Sequence, residues 1–125
     1  MQIKVVSVGE GERIDLGRGS WSSHLLNKNT VHSKKVMLGL STFTPGSDTP
    51  QKIHTEEELC FVIKGKGSIT VEGKEISYEA PSAIYIPPGA PHGVKNTGDV
   101  DVVMVYVFSH PEYPPTKDWK GKKNA

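Results

Sequence analysis

Glycine and proline interrupt this chain so often that only short segments remain between them, and those segments read as strands. Val36-Met37-Leu38-Gly39-Leu40-Ser41-Thr42-Phe43 ends at Pro45-Gly46, and Leu59-Cys60-Phe61-Val62-Ile63 is a near-continuous apolar run stopped by Gly65. Ser68-Ile69-Thr70-Val71-Glu72 alternates polar and apolar before Gly73-Lys74 turns it into Glu75-Ile76-Ser77-Tyr78. Ser82 to Ile86 runs into Pro87, and Val100 to Phe108 is a long β-branched run. Short runs of this kind, spaced by about 8–12 residues, predict an all-β sandwich or barrel. No window keeps a 3.6-residue period with caps at its ends, so little helix is expected.

The 125 residues make one domain, long enough for a real core and too short for two. The barrel is expected at about 35–109. Ile3 to Val8 reads as an N-terminal strand at a sheet edge or in a dimer contact, and a Gly/Ser-rich stretch follows at 17–23, with Trp21, His24, Leu25 and Leu26 able to extend the barrel's sheet or cover a partner subunit. The tail at 110–125, with three prolines followed by Lys117, Lys120, Lys122 and Lys123, reads as an irregular basic strap that frays into solvent. A formal net charge of +1 gives no strong field for nucleic acid or membranes. No apolar run approaches the roughly 20 residues of a membrane span, and the first residues lack a signal-peptide pattern. One cysteine excludes an intrachain disulfide and suits a reducing compartment, so a cytoplasmic location is expected.

Two motifs carry chemistry. In the first, Pro45-Gly46 leads to Lys52-Ile53-His54-Thr55-Glu56-Glu57-Glu58 and then, after six residues, to Gly65. In the second, Pro87-Pro88-Gly89-Ala90-Pro91-His92 runs into Asn96. Together they resemble the paired signatures of the cupin superfamily, G-x5-H-x-H-x3,4-E-x6-G and G-x5-P-x-G-x2-H-x3-N. The resemblance implies a single jelly-roll barrel, the double-stranded β-helix, with His54, Glu58 and His92 as metal ligands. The chain departs from the pattern at Lys52, where the family usually has its first histidine.

The donor types support that site independently. Imidazole nitrogens and a carboxylate bind borderline or hard divalent ions at about 2.0–2.2 Å, and two imidazoles with one carboxylate leave open positions of the non-haem iron kind. Alternate residues of an extended segment share a face, which groups 52, 54 and 58 and carries on to Cys60 and Val62. The site is therefore expected to take Fe, Mn, Ni, Co or Zn. A lysine ammonium has no lone pair to offer such an ion. Lys52 is instead read as an anion clamp or an acid/base group, and Gln51, one residue away, as an amide oxygen able to supply a fourth ligand. Cys60 is read either as a small core residue or as a thiol facing the substrate.

Fold does not choose the reaction. One expectation is a metal-dependent enzyme, of dioxygenase, decarboxylase or isomerase type, acting on a small oxygen-bearing metabolite. The alternative is a non-catalytic module that binds a small sugar or organic acid, with or without metal. Neither needs nucleic acid or a membrane. A homodimer is expected in both cases, because the strand at 3–8 has no hairpin partner nearby.

Overall fold

A computed structural model describes residues 2–121. Eleven strands and one short 3-10 turn (Val8–Glu10) make up the regular structure of these residues. The strands are β1 (Glu12–Gly17), β2 (Ser20–Leu26), β3 (Met37–Phe43), β4 (Lys52–Ile53), β5 (Glu58–Lys64) and β6 (Lys66–Val71). They continue with β7 (Lys74–Glu79), β8 (Ser82–Ile86), β9 (Gly93–Asn96), β10 (Val102–Phe108) and β11 (Lys117–Asp118). A six-stranded antiparallel sheet has the order β1-β2-β3-β10-β5-β8, and a three-stranded sheet the order β7-β6-β9. The two enclose a core of Met37, Phe43, Val62, Ile69, Ile86, Val102, Met104 and Phe108.

The expected strands from Val36 to Phe108 all form. The alternation read in Ser68 to Glu72 becomes the β6–β7 hairpin, whose turn puts Glu72 and Gly73 at φ 49° and 83°. Two positive φ values in succession are what a tight hairpin turn of matching twist needs.

The ends differ from expectation. Residues 3–7 form no strand within the chain. The strand added at the N-terminal side is instead β1, paired with β2 through the stretch read as Gly/Ser-rich, and this extends the sheet well before residue 35. All six residues of β1 are exposed, with Ile14 and Leu16 among those lining the cavity, and β2 buries serines and a histidine beside Leu25, so neither buries a regular apolar row. The tail is less irregular than expected, since Lys117 and Asp118 pair with Ile53 and Lys52. Lys122 and Lys123 lie outside the described residues.

Register organises the inner face of the large sheet. Residues directly opposite one another on adjacent strands share a face, and this produces rows running across it. One row is Met37, Phe108, Glu58 and Ile86. The next is His24, Gly39, Tyr106, Cys60 and Ile84. A third is Ser22, Ser41, Met104, Val62 and Ser82. The metal-ligand candidate Glu58 thus has Cys60 and Tyr106 in the adjacent row of the same wall.

Candidate metal centre and its cavity

Local hydrogen bonding brings the two motifs together. Lys52 and His92 exchange backbone hydrogen bonds, N–H to carbonyl, of 2.9 and 3.0 Å, and the Gly89 N–H donates to the His54 carbonyl at 2.9 Å. The Pro-Gly turn is therefore anchored to the first motif, and His92 is delivered beside His54. Asn96 has a structural role. Its amide donates to the carbonyls of Phe43 and Val100 at 2.9 and 2.8 Å, and its oxygen accepts from the Gly98 N–H at 2.9 Å.

His54, Glu58 and His92 each place one ligand atom within 4.8 Å of the others, the group of this kind found among the described residues. His54 Nε2 lies 3.1 Å from Glu58 Oε1, and His92 Nε2 lies 3.3 Å from the same oxygen. Donors at right angles about an ion, each at about 2.0–2.2 Å, stand roughly 3 Å apart, so the spacing fits. His54 and Glu58 are buried. The Nδ1–H of His54 donates to the Glu56 carbonyl at 3.0 Å, and that of His92 to the Ala90 carbonyl at 2.8 Å. A carbonyl only accepts, so both Nδ1 atoms carry their protons and both Nε2 atoms point at the carboxylate, each able to donate a proton to it or to offer a lone pair to a cation beside it. Acceptors converging in this way require a cation among them, either a proton or a metal ion, and pinning the far nitrogen is how metal-binding histidines are oriented.

The electrostatics agree. Burial works to raise the Glu58 pKa, but hydrogen bonds from His54 and His92 outweigh it and hold the carboxyl at about 2. Burial works to lower that of His92, while the hydrogen bond to Glu58, the Ala90 carbonyl and the Glu58 charge raise it above the usual imidazole value. Without a metal, a proton on His92 fills the cationic role.

The other sequence candidates separate. Cys60 is buried, and its thiol donates to Glu58 Oε2 at 3.3 Å. Burial first, then the Glu58 charge, pushes its pKa far up, so it is a supporting thiol and no thiolate nucleophile. Lys52 stands at the cavity wall with its ammonium 3.1 Å from Asp118 Oδ1, half-exposed. Gln51 turns away, because its amide oxygen accepts the Glu72 N–H at 2.8 Å, so it is not the fourth donor expected from the sequence.

Glu58 and His92 line a cavity of about 540 Å³, with His54 buried behind them. Sequence reading missed most of its lining. Phe108 packs edge-on against His54, with ring centroids 5.1 Å apart, and against Tyr113 at 5.3 Å. Tyr113 stacks on His24 at 5.6 Å, and Tyr113, Pro114 and Thr116 bring the tail into the cavity lining. Only the register and the path of the tail bring these residues here, and no short-range spacing marks them.

Comparison with known proteins places the chain in a family. Residues 39–108 match the family described as the Cupin domain, and the chain belongs to it. It is 36% identical over 105 residues to auxin-binding protein 1 of Arabidopsis thaliana, covering 76% of this chain and 53% of that protein, about half the relative's length. It is 29% identical over 102 residues to an oxalate-binding protein of Thermotoga maritima, covering 78% of this chain and 84% of the other. The structure of the polyketide cyclase RemF from Streptomyces resistomycificus matches with a TM-score of 0.80 at 20% identity, over 94% of this chain and 85% of that one, a likeness of fold. Among the described residues, no helix is long and apolar enough to cross a membrane.

Proposed function

We propose that this cupin holds a divalent transition metal through His54, Glu58 and His92 and uses it to bind and activate an oxygen-bearing small molecule in the cavity. The carrying observation is that two histidine Nε2 atoms, each fixed by a backbone carbonyl behind it, converge on one buried carboxylate oxygen at the cavity wall. A bound metal would supply a Lewis acid with open positions. The chain supplies the rest. Phe108 shields His54 from water, the Cys60 thiol holds the second oxygen of Glu58, and the tail completes the cavity lining. Elemental analysis after refilling with Fe(II), Mn(II), Ni(II), Co(II) or Zn(II) tests this. One equivalent of metal per chain, lost in His92→Ala, is expected; no retained metal with any of the five refutes it.

A second reading, a binding module without turnover, is favoured by two features. The Cys60 thiol stays protonated and the Lys52 ammonium is paired with Asp118, so neither is a free acid/base group. Relatives described as auxin-binding and oxalate-binding point the same way. Ligand binding without any product formed, in the metal-loaded protein, separates this reading from catalysis.

We further propose that the chain forms a homodimer. Ile3 and Val5 are 99% and 89% exposed, and Leu59, Phe61, Ile63 and Tyr85 are half-exposed on the outer face of β5 and β8. A second copy that covers these groups removes apolar surface from water. Sedimentation as a monomer at micromolar concentration contradicts the dimer.

A further inference from the structure

The cavity has a second polar end that the metal reading leaves unused. His24 Nε2 and Tyr106 Oη are both buried and make no hydrogen bond among the described residues. Buried polar atoms are normally paired, and leaving one unpaired costs free energy. Both side chains line the cavity, as do Ser22 and Ser41, whose hydroxyls bond each other at 2.6 Å. Ser22 lies close enough to Tyr106 to offset part of the rise that burial imposes on the phenol pKa, but not in hydrogen-bonding geometry.

The backbone is built to place the phenol there. Gly39 stands between His24 and Tyr106 in the same row of the sheet. A Cβ at Gly39 would meet Tyr106 Cζ at 2.2 Å and Oη at 2.3 Å. The missing side chain therefore lets the Tyr106 ring lie across β3 toward β2. His24 sits edge-on to that ring, with centroids 6.3 Å apart, and is held from the other side by Tyr113.

We propose that His24 and Tyr106 form a second binding subsite, which hydrogen-bonds a neutral oxygen of the ligand at the end of the cavity remote from Glu58. Three strand spacings separate β5 from β2, about 14 Å at roughly 4.8 Å each, and Phe108 and Tyr113 flank the path between the two ends. The ligand class that fits is a flat, apolar-bodied molecule of about two fused rings, with a metal-binding oxygen at one end and a hydroxyl or carbonyl at the other. A two-carbon dianion would reach one end only. The far end offers a protonated phenol and an imidazole whose pKa burial lowers, so it suits a neutral group and not a second carboxylate. This inference takes the ligand's orientation from the metal reading, while the subsite itself does not depend on it.

The test is calorimetric titration of the full chain, zinc-loaded and metal-free, with 6-hydroxy-2-naphthoate and with 2-naphthoate, which lacks the hydroxyl. The wild type is expected to prefer the hydroxylated probe by about three- to ten-fold, the contribution of one neutral hydrogen bond. Tyr106→Phe and His24→Phe should each abolish that preference, and Tyr106→Phe should melt at the wild-type temperature or slightly above. His92→Ala should weaken both probes and keep the preference. If zinc has no effect on either affinity but the preference and its loss in Tyr106→Phe persist, the metal reading fails and the subsite stands. Equal affinity for the two probes in the wild type overturns the subsite. So does a preference that survives Tyr106→Phe or His24→Phe, or no binding of either probe at millimolar concentration.

Discussion

At one end of the cavity, His54 and His92 owe their positions to turns and to a few backbone hydrogen bonds close to each residue, and Glu58 opens β5 only four residues after His54. At the other end, His24, Gly39 and Tyr106 come from three separate strands and meet only because those strands pair in one register. Each candidate ligand atom of the first end has a partner, whereas two polar atoms of the second have none among the described residues. An end set by turns leaves a fixed spacing in the sequence, and an end set by register leaves none.

The largest effect is expected at the wall between them. Phe108 is buried and touches His54, Tyr106 and Tyr113. Phe108→Ala should cost about 3–5 kcal/mol in denaturant unfolding, as for other large aromatic truncations. A loss below about 1 kcal/mol would mean that the two ends are not mechanically joined through this ring.

A smaller effect separates the ends by pH. Glu58 has a depressed pKa, so its contribution to the stability of metal-free protein is present above the ordinary 4.5 and is lost as pH falls through about 2. His92 has a raised one, so its contribution is present below 6.5 and is lost as pH rises through its folded value. Metal-free protein should therefore be most stable between those ordinary values and weaken above neutrality. Metal-loaded protein, in which the ion replaces the His92 proton, should not weaken there. Melting curves from pH 4 to 9 on both forms check this, and Tyr106→Phe should leave both profiles unaltered.

Lys52 gives a smaller effect again. Its ion pair with Asp118 is half-exposed, so Lys52→Ala should change stability by less than about 1 kcal/mol and leave metal content unchanged. Lys52→His should tighten metal binding by about ten-fold, ~1.4 kcal/mol, if the new ring reaches the ion from the cavity wall. Unaltered affinity would show that position 52 does not face it.

This contrast also explains what could be read from the chain. The barrel strands were legible because Gly and Pro bound them and their apolar residues alternate, as in the buried Glu58, Cys60 and Val62 of β5 against the exposed Leu59, Phe61 and Ile63. His54, Glu58 and His92 were legible from spacing. β2 was legible only as an open alternative at Trp21, His24, Leu25 and Leu26, because its buried face also carries Ser20 and Ser22, which look like surface residues until the sheet is assembled. Gln51 was misjudged because a two-residue strand ends the regular alternation, which leaves its amide free to reach Glu72. Ile3 to Val8 looked like a strand from its residues alone, but a strand also needs an edge to join, and this segment finds none within its own chain.

The central claim is that three side chains, and no fourth, hold one metal ion. Titration of metal-free protein with Co(II), followed by its visible absorption, tests it most directly. The account predicts one ion per chain, with a band that is lost in His92→Ala and in Glu58→Gln and is kept in Lys52→Ala and in Cys60→Ser. A band that survives His92→Ala, or no saturable Co(II) binding in the wild type, would contradict it.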